Sequence, residues 1–339
     1  MTALARPLAI TLGDPAGIGP EVILGAWTRL RAAGEAPPAF VVGGPALLRA
    51  CAEALGIDCP IVPIADPAEA LFACGAGLPV MAGLDGALTP GRPSPEGARL
   101  ALASLQWGMK FALSGVAAGV VTAPVSKAEL AAVGWDYPGQ TEFLAEACAR
   151  PYRDAVMMLA GPSLRTVPLT VHVALAEVPG LISQGLILHK ARIVAEGLRR
   201  DFGIPAPRLA VAALNPHAGE GGKFGEEDAA VIAPAVEALR AEGIDAVGPV
   251  PGDALFTPRA RATYDAALCM YHDQALIPLK ALEFDEGVNV TLGLPLIRTS
   301  PDHGTAFDIA GQGKADPGAM AAAIRMAAAM AAARGKAGA

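Results

Sequence analysis

The chain has 339 residues, 53% hydrophobic and 17% charged, with 26 Lys and Arg against 33 Asp and Glu for a formal charge of −7. That composition excludes a disordered chain and argues against a nucleic-acid partner, and the length suits two domains or one large one. The five cysteines form no CxxC pair and no apolar run is long enough to span a bilayer. A disulfide framework, a thiolate zinc site and a membrane partner are therefore not expected, and a soluble protein of the reducing cytoplasm is.

From the N-terminus, short apolar runs alternate with longer stretches of helical period, the pattern of strands and covering helices in a mixed α/β protein. Strands are predicted at 8–12, 39–42, 119–122, 155–159, 209–214 and 267–271. Helices are predicted at 21–33, 95–113, 142–149, 189–202, 226–242 and 317–333, the last on its alanine content. Domain edges are poorly marked, so interleaved lobes fit the pattern as well as consecutive ones.

Three of the five histidines, His172, His217 and His272, each follow an apolar run and so fall at the carboxyl end of a predicted strand. Open α/β sheets gather ligands at that edge, and neutral imidazole is a common ligand of divalent metals. Their separations are far from the short spacing of a zinc finger, so a metal has to come from convergence in the fold. The segment GDPAGIGPE, 13–21, lies between a strand and a helix, with Pro20 suited to the first helical turn and a backbone open to an anion. It does not fit GxGxxG, and no dinucleotide fingerprint of Rossmann type is supported. In NPHAGEGGKFGEED, 215–228, the acidic trio Glu226, Glu227 and Asp228 suits a helix start, and Asp253 suits a cap. Lys280, Asn289 and Arg298 supply two cations and an amide fit for a phosphate or carboxylate. The glycine-rich HGTAFDIAGQGKADP, 303–317, is an extended loop able to wrap an adenine and ribose with backbone groups.

Together these segments, with TAPVSK (122–127), GQTEFLA (139–145), GPVPGD (248–253) and MYHDQALIPLK (270–280), make the chain resemble the 4-hydroxythreonine-4-phosphate dehydrogenase family of pyridoxal phosphate biosynthesis along nearly its whole length. The resemblance implies a two-lobed isopropylmalate-dehydrogenase-like α/β/α fold with mixed sheets and a cleft between lobes, not a Rossmann fold. It implies an NAD-binding lobe of residues 1–130 plus 275–339 and a metal, substrate and dimerisation lobe of residues 131–274. It further implies a homodimer with shared sites, in which His172, His217 and His272 hold one divalent ion (Zn, Mg or Co). Gln140, Thr141, Lys280, Asn289 and Arg298 would bind a small phosphorylated hydroxy acid. Gly304, Thr305, Asp308 and Gly311 would hold NAD or NADP, and Lys127 and Asp253 are the candidates for proton transfer. The implied reaction oxidises 4-phosphohydroxy-L-threonine to 2-amino-3-oxo-4-phosphooxybutanoate, which decarboxylates to 3-amino-2-oxopropyl phosphate. The family usually has His where this chain has Gln140, a departure that bears on substrate choice. One alternative is a sister dehydrogenase for threonate or erythronate 4-phosphate or a terephthalate cis-dihydrodiol. Another is a metal-dependent hydrolase or lyase with Glu220 as base.

Overall fold

A computed structural model describes residues 5–337, which divide into two compact units: residues up to Tyr152 together with those from Leu294 onward, and Arg153–Gly293. The strands are β1 (Leu8–Thr11), β2 (Ala39–Val42), β3 (Ile61–Ile64), β4 (Leu78–Met81), β5 (Val120–Thr122), β6 (Val156–Ala160), β7 (Arg165–Pro168), β8 (Arg208–Ala212), β9 (Asp245–Val250), β10 (Ala266–Cys269), β11 (Val288–Leu292) and β12 (Arg298–Pro301).

In the first unit the strand order is β3-β4-β2-β1-β5-β12, and every pairing is parallel. A parallel sheet is covered on both faces, which is why its central strands read as continuous apolar runs: Leu8, Ala9 and Ile10 are all fully buried. The Gly19–Ala32 helix carries the proline of GPE in its first turn, and Ser94 caps the long Pro95–Leu113 helix by accepting from the Gly97 amide. The alanine-rich Gly318–Ala337 helix packs against β12 and against Gly19–Ala32.

The second unit has a mixed sheet of order β11-β6-β7-β10-β8-β9. β11, β6 and β7 are antiparallel neighbours, whereas β7, β10, β8 and β9 run parallel. The central strand β10 registers Ala267 against Thr166 of β7 and against Ala210 of β8. The three strands end side by side, and this common edge is what positions the histidines.

All six predicted strands and all six predicted helices exist, the 39–42 strand and the 95–113 helix with the predicted ends and the others with shifted ends. The 226–242 segment is a π-helical turn, Asp228–Ile232, followed by the Ala233–Ala241 helix. Pro234 has no N–H to return to the preceding turn, so the regular ladder cannot run through. The units divide at Tyr152/Arg153 and Gly293/Leu294, whereas the resemblance suggested 130/131 and 274/275. The physical reason is the β6–β11 ladder, which pairs Met158 with Val290 and holds residues 288–292 in the second unit. Lys280 and Asn289 accordingly belong with the histidines. The five cysteines are free thiols. Among the described residues no helix is long and apolar enough to cross a membrane.

Candidate active site

In the second unit, His172, His217 and His272 lie just beyond the carboxyl ends of the adjacent parallel strands β7, β8 and β10. Two tethers hold these ends in step. Thr170 donates its hydroxyl to the Met270 carbonyl at 2.9 Å, tying the His172 turn to the His272 turn. Gln274 accepts from the Met270 amide at 2.7 Å and donates to the Ala213 carbonyl at 2.8 Å, tying the His272 turn to the loop that carries His217. The His172 and His272 rings come together with centroids 5.6 Å apart, and Nδ1 of His272 donates to Asp273 at 2.7 Å, which leaves its Nε2 for a metal.

The His217 loop is held under strain. His217, Ala218 and Glu220 all have left-handed backbones, with φ of 52°, 54° and 41°, and His172 has φ 51°. Left-handed L-residues each cost roughly 1–2 kcal/mol and persist only where their surroundings fix them. Buried Asp228 does this for the loop. It accepts from the Leu214 amide at 2.8 Å, the Asn215 amide at 3.0 Å and the Asn215 side chain at 3.0 Å, while Glu227 accepts from the same side chain at 2.8 Å. We expect Asp228→Ala to lower stability by about 2–4 kcal/mol, because each orphaned donor carries a desolvation penalty of about 1–3 kcal/mol. A calorimetric scan of apoprotein checks it; an unchanged midpoint would show the loop is fixed by other contacts.

This donor set fits a divalent ion in its chemistry, and a single chain presents two of the imidazoles as neighbours, their planes tilted by 40°. Among the described residues no group of three His, Cys, Asp or Glu stands ready to hold a metal. Lys280 is half-buried with its ammonium 6.0 Å above the Phe284 ring, and Asn289 lies in β11 opposite Leu159. Asp253 is exposed and accepts from its neighbour's amide, Ala254, at 3.0 Å, so its carboxylate is partly committed to the local turn.

In the first unit, Arg298 is 5% exposed, and burial lowers its pKa to about 10. Its guanidinium donates to Thr122 Oγ1 at 3.2 and 2.8 Å and to Gln140 Oε1 at 2.9 Å. Thr122, the first residue of TAPVSK, was missed as a site residue; its place in that motif was the available signal. Gln140 and Thr141 open the Gln140–Ala147 helix. The Lys127 ammonium reaches the same turn, since a Cβ on Gly139 would lie 3.5 Å from it. This arrangement suits an anion, with a planar fork oriented by two neutral oxygens and a point charge at a helix start.

The 303–313 loop packs on the GDPAGIG turn. Ile18 donates to the Thr305 carbonyl at 2.9 Å, and any Cβ on Gly17 would meet that oxygen at 2.7 Å, so only glycine permits the approach. Gly91 donates to the Ala16 carbonyl at 2.8 Å. Asp14 is buried and its pKa is raised, because burial outweighs its hydrogen bond from the Ala16 amide. Gly304, Asp308 and Gly311 are exposed, and space is open beside Gly304. Nε2 of His303 is shielded from solvent without a hydrogen-bond partner. An open backbone and an unsatisfied ring nitrogen fit the heteroatoms of a nucleotide.

An all-parallel unit with a glycine-rich turn and loop, and a second unit presenting strand-end imidazoles, carry the residue complement of an oxidoreductase. Residues 35–327 match the family described as pyridoxal phosphate biosynthetic protein PdxA, and the chain belongs to that family. It is 64% identical over 322 residues to the 4-hydroxythreonine-4-phosphate dehydrogenase of Erythrobacter litoralis, covering 95% of this chain and 96% of that one. The crystal structure of the enzyme of that name from Klebsiella pneumoniae superposes with a TM-score of 0.85 at 38% identity, covering 96% of this chain and 100% of that chain. A terephthalate 1,2-cis-dihydrodiol dehydrogenase from Burkholderia xenovorans gives a TM-score of 0.65 at 28% identity, covering 95% and 97%.

Proposed function

We propose that this chain oxidises 4-phosphohydroxy-L-threonine with NAD or NADP and a divalent ion, giving 2-amino-3-oxo-4-phosphooxybutanoate, which loses carbon dioxide to 3-amino-2-oxopropyl phosphate. Three histidines at one strand edge, two of them ring to ring, support the metal most directly. A divalent ion held by His172, His217 and His272 would polarise the substrate hydroxyl and then the ketone, easing both proton loss and decarboxylation. The nicotinamide would accept the hydride, with its nucleotide on Gly304, Thr305, Asp308 and Gly311.

The chain's own side chains do the rest. Arg298, oriented by Thr122 and Gln140, clamps the phosphate, with Lys280, Asn289 and Thr141 as further contacts. Lys127 or Asp253 takes the hydroxyl proton. A homodimer completes the site in this reading. Its support is the exposed apolar side chains of the segments that follow His172 and His272, Leu175 at 66%, Ile277 at 63% and Phe284 at 73%.

Gln140 favours a second reading, a sister substrate. Its neutral oxygen accepts from Arg298, which an imidazolium could not do. The deciding experiment follows reduced-nicotinamide absorbance with 4-phosphohydroxy-L-threonine, threonate 4-phosphate, erythronate 4-phosphate and terephthalate cis-dihydrodiol, each with and without chelator. The expected result is turnover of the first substrate, abolished by chelation. Turnover confined to another substrate, or indifferent to chelator, would overturn the corresponding part.

A further inference from the structure

Glu21, in the first turn of the Gly19–Ala32 helix, is 6% exposed. Both carboxylate oxygens are shielded from solvent, and neither has a hydrogen-bond partner. A buried carboxylate with empty acceptors is costly and needs a physical account. Burial raises its pKa, and the backbone amides of Gly311 and Gly313 oppose that rise by favouring the ionised form. The other end of the same loop is already secured, since Thr305 accepts from the Ile18 amide at 2.9 Å. One helix start thus meets the 303–313 loop at both ends, through the hydrogen bond at Thr305 and through the buried Glu21 carboxylate beside the Gly311 and Gly313 amides. The helix N-terminus adds a favourable field for an anion at Glu21.

We propose that Glu21 is the positioning residue for the 303–313 loop: its buried carboxylate, set against the Gly311 and Gly313 amides, holds this end of the loop in the form that binds the cofactor. The cofactor part rests on the reading that this loop holds the nicotinamide dinucleotide. Glu21 touches no substrate and moves no proton.

The test compares Glu21→Gln, which keeps size but turns an amide donor toward two N–H groups, with Glu21→Ala. Amide hydrogen exchange of the intact protein without cofactor should quicken at least tenfold in peptides covering 303–316 for both variants, with the body of the Gly19–Ala32 helix unchanged. Calorimetric titration with NAD and NADP should show at least tenfold weaker binding, while the Michaelis constant for the phosphorylated substrate stays within twofold. Unchanged loop exchange in Glu21→Gln would overturn the positioning role. So would exchange that quickens equally through the helix, which marks a plain packing defect. Faster loop exchange with undiminished cofactor affinity would keep Glu21 as the loop's anchor and overturn the assignment of the loop to the cofactor.

Discussion

Replacing His217 by alanine is expected to abolish stoichiometric divalent-metal binding and to cut turnover about 10³-fold or more, with the fold intact. The magnitude follows because metal polarisation supplies several kcal/mol of transition-state stabilisation and each 1.4 kcal/mol is about a factor of ten. The fold should survive because His217 is exposed, at the tip of a loop anchored by Asp228. Its backbone sharpens the prediction. At φ 52° and ψ 30° the residue is strained, and alanine inherits that strain, whereas glycine relieves roughly 1–2 kcal/mol and gives back about 0.5–1 kcal/mol in unfolded-chain entropy. Apo His217→Gly should therefore be as stable as apo wild type or up to about 1 kcal/mol more so, while equally unable to bind metal. The comparison has to be made on apoproteins, since bound ion would itself stabilise the wild type. Metal analysis, steady-state rates and thermal midpoints check it. Normal rate with one ion retained would remove His217 from the ligand set.

That the histidines meet one sheet edge was legible because apolar runs of strand length precede each of them, and parallel strands end together. The exact placement was less so. The run before His172 suggested a strand up to that residue, but β7 stops at Pro168 and Thr170 bonds across to Met270 instead. The strand β12 went unseen because Arg298, Thr299 and Ser300 are polar, and their burial is only visible once Val120 and Val121 of β5 stand alongside. The His272–Glu283 helix was hidden by Pro278 in its interior, and β9 by its glycine and proline. The left-handed run at 217–221 had little signal beyond its glycines, since Ala218 and Glu220 are residue types that rarely adopt it. The setting of Arg298 was out of reach for another reason: Thr122 and Gln140 come from distant parts of the chain, so chemistry at one position depended on topology. Asp228 was read as a helix-start acid, and the structure gives it the further task of holding the His217 loop.

Arg298→Met is expected to raise the Michaelis constant for the phosphorylated substrate about 10²-fold or more, with little or no loss of thermal stability. The second half follows from the charge. Burial lowers the folded-state pKa from the ordinary guanidinium value to about 10, so at pH 7 the residue is still charged. Because the unfolded chain holds that proton more tightly, the charge opposes folding at neutral pH, on the order of 3 kcal/mol at about 1.4 kcal/mol per unit. The opposition fades only as pH rises above about 10 towards the ordinary guanidinium range. Against this relief, methionine leaves the buried Thr122 hydroxyl without its donor, a loss of about 1 kcal/mol, while half-buried Gln140 can turn to water. The balance is a variant about as stable as wild type or up to about 2 kcal/mol more so. The first half follows from the fork, whose paired charge-assisted contacts to a phosphate are each worth about 1.5–3 kcal/mol. Arg298→Lys should recover less than a tenth of the loss, because an ammonium cannot span Thr122, Gln140 and a phosphate oxygen in one plane. Rates with phosphorylated and unphosphorylated substrate separate the effects: a Michaelis constant that rises equally for both, or for neither, would make Arg298 a buried structural cation and move phosphate recognition to Lys280 and Asn289.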